Sequence, residues 1–536
     1  MQKKRFSKYG GLFFAFNFIV GYAFVVGLGQ SFLTSGIVGF PIILAICAVI
    51  AYGVGLAFAN LSAKFQGYGG SYLYTKNGIG KNVSFWIGWF QYIQAPFVAI
   101  SSVAGIVWAF QNANFFGWDL NTPQAFNDAK PWLFIGAGSL FVVLIAVVNF
   151  GFNTTRFSLW FMWGLKWLIL GSSLLFAFAE IIKLGATGHG QQIIDNFTGK
   201  GFHQKISFWD LITSVLTFFF AFGGFEGIAA ISDDIEDPKK NLKWVLIVVI
   251  IVATIFYLVY YFAFIGALGA DQSSASSIIP NGAADGNPIN TVIKQVLGAG
   301  TGIFLAIGSI GIVSQVANKS TSRVQNPWVN TRLLLPLAVD GWIPKWFTHV
   351  NKHGQFNRCL MFDSCLTGVL VLTYSLLCIF ATKDVANNLA NTLGIYTIVA
   401  FLNYIGAICA ILNLWRKKLM ECSKFEIAMY LFSLGAILLI LVGFIGQGIF
   451  YWTSEGIGSP DFKQFAFQFI GLIISVFLGL VIFICSKKLG WQNQKLDPSF
   501  VEYLKHNPES VDESVLKTLD DYKHHDHIPA VEIVNT

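Results

Sequence analysis

About twelve apolar segments, each close to the length that crosses a bilayer, follow one another along the chain. A membrane-spanning helix needs about 20 mostly apolar residues, and most of these segments carry no charge at their centres. Only 12% of the 536 residues are charged, against about 25% in soluble domains. The pattern predicts an all-α polytopic membrane protein and excludes a soluble enzyme, a disordered chain and a disulfide scaffold. The predicted helices span 11–35, 39–62, 83–111, 131–150, 157–182, 209–231, 242–269, 302–326, 359–381, 388–413, 427–451 and 464–486.

The lysines and arginines favour one orientation of these helices. Lys166 lies inside a predicted helix, and most of the others, including Lys319, Arg323 and Arg332, fall in segments on the same side as the N-terminus. Because cytoplasmic loops are enriched in Lys and Arg, we expect a plasma-membrane protein with both termini in the cytoplasm. The net charge of +7 then reflects topology and not nucleic-acid binding. The outer segments hold only Lys130, Lys183, Lys200, Lys205, Lys294, Lys383 and Lys463.

Two of the predicted helices contain residues that interrupt a helix near its middle. The first contains Gly21, and the sixth contains Gly223, Gly224 and the carboxylate of Glu226. Glycine weakens a helix interior, and a carboxylate within the hydrocarbon layer is costly. Interrupted helices in corresponding positions of two halves indicate a transporter site, because each break frees backbone N–H and C=O groups. The alternative is that the glycines only let helices pack closely.

A pair of facing breaks suits a zwitterion, such as an amino acid. Freed amides at Gly21–Ala23 would bind its α-carboxylate, and freed carbonyls near Val20 and Phe222–Gly224 would bind its α-ammonium. Glu226 would bind a proton or a cationic group, or would only accept hydrogen bonds from the freed amides. Phe222 and Phe225 would cap the site and exclude water from it. The predicted substrate-binding residues are Val20, Gly21, Tyr22, Ala23, Phe222, Gly223, Gly224, Phe225 and Glu226.

Three stretches resemble motifs of the amino acid–polyamine–organocation superfamily of amino acid permeases. They are Gly69-Gly70-Ser71-Tyr72-Leu73-Tyr74 followed by Gly88-Trp89, the sixth-helix break with Asp233-Asp234-Ile235-Glu236-Asp237-Pro238-Lys239-Lys240-Asn241, and Arg332-Leu333-Leu334-Leu335-Pro336-Leu337-Ala338-Val339-Asp340-Gly341-Trp342-Ile343-Pro344-Lys345. The resemblance covers about residues 10–486 and implies a LeuT-type fold with alternating access to a central amino-acid site. It implies inverted five-helix repeats at 11–182 and 209–413, two extra helices at 427–486, and cytoplasmic segments at 1–10 and 487–536.

Lys166 lies about ten residues into the fifth predicted helix. A lysine at that depth is costly unless it is paired, deprotonated or facing water. In the resembled family a lysine of the fifth helix often fills the place of sodium in sodium-coupled relatives, which implies that Lys166 makes transport sodium-independent and couples it to protons. The alternative is a lysine that extends to the membrane interface.

The charged run from Asp233 to Lys240 is expected to be a solvated loop, and gate ion pairs with neighbouring loops are the alternative. No catalytic motif accompanies these features, so we predict a transporter and not an enzyme, with no cofactor and no metal. The expected partners are an amino acid, protons and the lipid bilayer.

The predicted function is therefore secondary active transport of amino acids, with proton symport as the first expectation. An exchanger for basic amino acids or polyamines, a channel and a transporter-like nutrient sensor remain as alternatives. The side chain of the substrate, the stoichiometry and the oligomeric state stay open.

Overall fold

The structure is a computed structural model that describes residues 6–21, 23–110, 114–115, 118–120, 122–198, 207–268, 292, 296, 302–380 and 385–511. Most of these residues are helical, and one short hairpin joins β1 to β2. The elements are α1 (Lys8–Ile19), α2 (Ala23–Lys64), α3 (Ser71–Gly78), α4 (Lys81–Ala109), β1 (Asn114–Phe115), β2 (Trp118–Asp119), α5 (Pro123–Asn149), α6 (Phe152–Ala186), α7 (Gly190–Thr198), α8 (Phe208–Phe218), α9 (Phe225–Ala230), α10 (Pro238–Leu268), α11 (Gly302–Val339), α12 (Asn357–Phe380), α13 (Val385–Arg416), α14 (Lys424–Ser454), α15 (Pro460–Lys488) and α16 (Pro498–His506).

Within these ranges, nine helices are long and apolar enough to cross a membrane. Large apolar side chains point outward from several of them: Leu175 is 71% exposed, Val369 62% and Val442 69%. Such an apolar surface would be unfavourable in water and suits contact with lipid. The prediction of an all-α polytopic membrane protein is therefore confirmed.

The first predicted helix is interrupted where its glycine indicated. α1 ends at Ile19, Val20 has an extended backbone (φ −78°, ψ 103°), and α2 begins at Ala23. Beyond the break, α2 continues to Lys64, so the prediction of separate helices at 11–35 and 39–62 is wrong. No proline lies between residues 35 and 39 to remove a backbone N–H donor and end the helix. Pro41, a little further on, is accommodated inside α2.

The sixth predicted helix is also interrupted. α8 ends at Phe218 and a 3₁₀ turn covers Phe219–Phe222, after which Gly223 is extended and α9 begins at Phe225. Gly224 has φ +113°, in the left-handed region that side chains rarely adopt. A Cβ there would also lie 2.4 Å from the ring of Phe18. The two breaks therefore touch each other, with no space for a larger residue at Gly224.

One helix differs from the prediction in a way that matters for function. The eighth predicted segment, 302–326, ends at Val339 as part of α11. Lys319, Arg323 and Arg332, which the charge count assigned to the cytoplasmic segments, lie inside this helix and are 3–5% exposed. That placement was wrong because hydropathy cannot distinguish a loop from a helix whose polar face is buried in protein.

Close helix packing holds α4 and α13 at the centre of the molecule. α4 contacts α3, α11 and α13, and α13 also contacts α8. Small residues permit this approach: a Cβ on Gly78 would lie 2.8 Å from that of Ala410, and one on Gly406 would lie 2.5 Å from Ile87. These helices form the fixed wall against which the interrupted helices pack.

Residues 489–511 fold back against one end of the helices, which we call the terminal face because Phe6 lies there too. The Val350 N–H donates to Ser499 Oγ at 2.9 Å, and the Arg358 guanidinium pairs with Asp497 at 2.8 Å. Burial raises the pKa of the Asp497 carboxyl, but hydrogen bonds from Ser499 and the charge of Arg358 outweigh it and hold that pKa below its usual value. The tail contains α16, and residues 512–536 lie outside the described part of the chain.

Two glycines on this face allow a matched test of tail docking. Gly341 (φ +74°) and Gly354 (φ +72°) share a left-handed backbone that costs a side chain about 1–2 kcal/mol. A Cβ on Gly341 would lie 2.4 Å from the Cα of Gln492, whereas one on Gly354 meets nothing within 4 Å. We expect Gly341→Ala to release residues 489–511 to protease several times faster than Gly354→Ala, as measured by limited proteolysis. Equal cleavage rates would contradict the docked position of the tail.

Candidate functional site

A cavity of about 110 Å³ lies between the two interrupted helices and the facing sides of α4, α11 and α13. Four of the residues predicted from sequence line it: Gly21, Gly223, Gly224 and Glu226. The structure describes Ala23 only as the first residue of α2, and Tyr22 lies outside the described residues. The cavity brings together two breaks that lie far apart in the sequence.

Val20, Phe222 and Phe225 are fully buried and are not part of the cavity lining. The ring of Phe222 packs against Tyr257 at 5.4 Å between centroids, and the ring of Phe225 stacks on Tyr404 at 5.5 Å. The two phenylalanines thus fix the backbone of the sixth-helix break to α10 and α13.

Glu226 lies in the first turn of α9 and is 4% exposed. Its carboxylate accepts hydrogen bonds from the Gly224 N–H at 3.0 Å, the Tyr396 hydroxyl at 2.9 Å and the Tyr404 hydroxyl at 3.0 Å. A buried charge needs such partners because the surroundings give it no water. Both carboxylate oxygens are therefore used in holding the break against α13.

Gln91 of α4 connects two of the motifs found in the sequence. Its Oε1 accepts from the Ser71 N–H at 2.8 Å, and its Nε2 donates to the Glu226 carbonyl at 3.0 Å. The glycines before Ser71 have φ values of +116° and +49°, which brings the loop backbone close to this amide. The loop between α2 and α3 is thereby tied to the sixth-helix break.

The ammonium of Lys166 lies at the end of α1. It donates to the carbonyl of Asn17 at 2.9 Å and to that of Val20, both freed by the break. The next residue, Trp167, donates to Asn17 Oδ1 at 2.8 Å. Lys166 is 1% exposed, which does not fit a side chain that extends to the membrane interface.

The residues with which α11 lines the cavity were not predicted. Asn318, Lys319, Ser322 and Gln325 line the cavity, and the Ser322 hydroxyl lies 2.8 Å from that of Ser102 in α4. They form a polar run at the end of the predicted helix 302–326. The run was missed because its lysine and arginine were counted with the cytoplasmic segments. Tyr396 of α13 was also missed, since one tyrosine in an apolar helix carries no distinctive signal.

A buried ion pair lies between this cavity and the terminal face. Asp234 accepts from Arg332 Nε at 2.8 Å, from Trp328 Nε1 at 3.0 Å and from the Tyr68 hydroxyl at 3.1 Å. Asp234 is 1% exposed, so the prediction of a solvated loop is wrong at this residue. It is correct for Glu236, whose side chain is exposed.

A second cavity, of about 550 Å³, opens on the far side of that ion pair. Its lining includes Asp234, Arg332 and residues of the tail such as Tyr503. Val329 and Leu333, each one residue further along α11 than a lining residue of the second cavity, line the central cavity. The ion pair therefore stands in the wall between the two cavities, as a gate would.

Comparison with known proteins decides the family. Residues 10–474 match the amino acid permease family. This chain belongs to that family. An uncharacterized protein of Mycoplasma genitalium, MG225, is 27% identical over 462 residues, which cover 82% of this chain and 87% of the relative.

Two of the relatives have names that describe transport. The methylthioribose transporter of Bacillus subtilis is 23% identical over 60% of this chain and 63% of its own length. The inner membrane transporter YjeM of Salmonella typhimurium is 25% identical over 32% of this chain and 34% of its own length. Family and relatives together indicate a transporter of small molecules and not an enzyme.

The Asp234–Arg332 pair can be tested by comparison with an exposed pair. Arg332→Gln would leave the Asp234 carboxylate buried without its counter-charge, which we expect to lower the free energy of unfolding by about 3–5 kcal/mol. Lys505→Gln breaks the Lys505–Glu502 pair, whose side chains are 38% and 62% exposed, and should cost less than about 1 kcal/mol. Thermal unfolding in detergent measures both. Equal losses would contradict a buried, paired Asp234.

Proposed function

We propose that this permease is a secondary active transporter that binds an amino acid between its two interrupted helices and moves it without sodium, coupled to protons. The observation that carries the proposal is the ammonium of Lys166 on the freed carbonyls of Asn17 and Val20. Helix ends carry partial negative charge at their free carbonyls, and a cation there stabilises the break. Lys166 supplies that cation from the chain itself.

The zwitterion would lie across the cavity. Its α-carboxylate would approach Gly21 at the start of α2, where backbone N–H groups have no acceptor within the helix. Its α-ammonium would approach the carbonyls at the end of the 3₁₀ turn, near Gly223. Both glycines line the cavity, and neither offers a side chain that would block the ligand.

Proton coupling follows from what surrounds Lys166. Among the described residues, its hydrogen bonds go to the main-chain carbonyls of Asn17 and Val20 at the end of α1. A movement of the α1 segment during alternating access would remove those acceptors, and a buried ammonium without acceptors is unfavourable. Release of its proton would then accompany the movement, which couples the proton to the transport cycle.

Transport by Lys166→Ala is the first test. We expect the variant to lose at least about tenfold in amino-acid uptake by proteoliposomes and to lose the stimulation by an inward proton gradient, because the freed carbonyls at the end of α1 lose the cation that they bind. Lys183→Ala, on an exposed face of α6, is the matched control. External sodium should have no effect on the unsubstituted protein.

The uptake panel should hold labelled amino acids of each class together with methylthioribose, the substrate named for one relative. Uptake that needs internal amino acid and ignores the proton gradient would indicate an exchanger instead. Uptake and pH dependence unchanged in Lys166→Ala would contradict the coupling role.

Glu226→Gln tests whether that carboxylate recognises substrate or holds the break. Because its oxygens accept from Gly224, Tyr396 and Tyr404, we expect uptake of all transported amino acids to fall alike. Competition by unlabelled amino acids gives the selectivity. A loss confined to lysine and arginine would instead assign Glu226 to recognition of basic side chains. Glu180→Gln, outside the cavity, is the control.

A further inference from the structure

Two amide side chains on the α11 wall of the central cavity have donors without acceptors. Asn318 is 6% exposed and Gln325 2%, and both line the cavity. Among the described residues, neither Asn318 Nδ2 nor Gln325 Nε2 has a hydrogen-bond partner. Buried donors are almost always satisfied, because an unsatisfied one is unfavourable. The two N–H groups therefore indicate a ligand that supplies acceptors.

The positions of the two amides describe the shape of that ligand. They are seven residues apart, so they share one face of α11 at a separation of about 10.5 Å along the axis. Asn318 lies at the first-helix break, with its Oδ1 3.8 Å from the place that a Cβ on Gly21 would take. Gln325 lies two turns nearer the terminal face, beyond the Ser102–Ser322 contact. A ligand that satisfies both amides needs an acceptor at each end.

The charge of Lys319 on the α11 wall narrows the class of ligand further. Lys319 is 5% exposed and lines the cavity, with its Nζ 3.0 Å from the place that a Cβ on Gly105 would take. An ammonium at this wall favours a carboxylate over a neutral carboxamide or hydroxyl, since charge-assisted hydrogen bonds are the stronger ones. It also disfavours a cationic side chain.

We propose that the cavity selects a dicarboxylic amino acid, such as glutamate or aspartate. One carboxylate lies at the first-helix break beside Asn318, and the other lies on the α11 wall at Gln325, where Lys319 balances the added negative charge. Glu226 does not oppose this arrangement, because its oxygens are held by Gly224, Tyr396 and Tyr404. The inference rests on the proposed function, since it names the substrate class of the same site.

The test uses the full chain in proteoliposomes with labelled glutamate, aspartate, glutamine, leucine and lysine. We expect glutamate and aspartate to give saturable uptake with a KM at least about tenfold below that of glutamine, and lysine not to compete. One charge-assisted hydrogen bond accounts for a factor of that size.

Variants of the wall then identify the residues. Gln325→Leu keeps much of the volume of the side chain, removes its donor, and should raise the KM for glutamate about tenfold. Lys319→Met should abolish the preference for glutamate over glutamine. Gln124→Leu makes the same change as the first variant at an exposed position of α5 and should leave uptake unchanged.

A further variant distinguishes loss of ligand binding from loss of the fold. Gln325→Glu keeps size and polarity but places an anion where the ligand carboxylate would lie, so glutamate uptake should fall more than glutamine uptake. Each variant is compared with the unsubstituted protein by melting temperature in detergent.

The outcomes separate the two proposals. Saturable uptake of leucine or lysine in preference to glutamate would overturn the dicarboxylic assignment and leave amino-acid transport standing. A preference for glutamine over glutamate would also overturn it, because the charge on the wall would then have no role. Failure to transport any amino acid would overturn the proposed function itself.

Discussion

A helix interrupted within a membrane must find partners for its freed backbone groups, because the hydrocarbon layer offers no water. This constraint shapes the centre of the protein. At the end of α1, the carbonyls of Asn17 and Val20 are satisfied by the ammonium of Lys166. At the start of α9, the Gly224 N–H is satisfied by the carboxylate of Glu226. At each break, the freed backbone groups carry a partial charge, and the side chain that binds them carries the opposite charge.

The same two charged side chains need the breaks in return. A lysine or a glutamate placed in an unbroken apolar helix would have no partner and would be costly. Here Lys166 and Glu226 are 1% and 4% exposed, and both bond to backbone. Glu226 is also held by two tyrosines of α13, which ties the sixth-helix break to that helix. Break and charge are therefore one structural unit.

A second level of organisation separates the site from the terminal face. The Asp234–Arg332 pair is buried and supported by Trp328 and Tyr68, and the folded tail lines the cavity beyond it. A buried ion pair adds little net stability over an apolar contact. Removing one partner is nevertheless strongly unfavourable, because the other charge is left buried and unpaired.

Much of this could be predicted from the sequence. Apolar segments of about 20 residues determine an all-α membrane protein, since a helix of that length crosses the bilayer with its backbone satisfied, whereas a barrel strand needs only about 9–11 residues. Glycines beside a mid-segment carboxylate determine the sixth-helix break, and Gly21 determines the first. What only the tertiary structure decided is which polar groups meet. The polar residues of the α11 wall were counted with a cytoplasmic segment because hydropathy does not distinguish a polar face buried in protein from one exposed to water. Asp234 was taken as solvated because its partner Arg332 is 98 residues away. Contacts between distant segments depend on how the helices pack, and the local sequence pattern does not determine that packing.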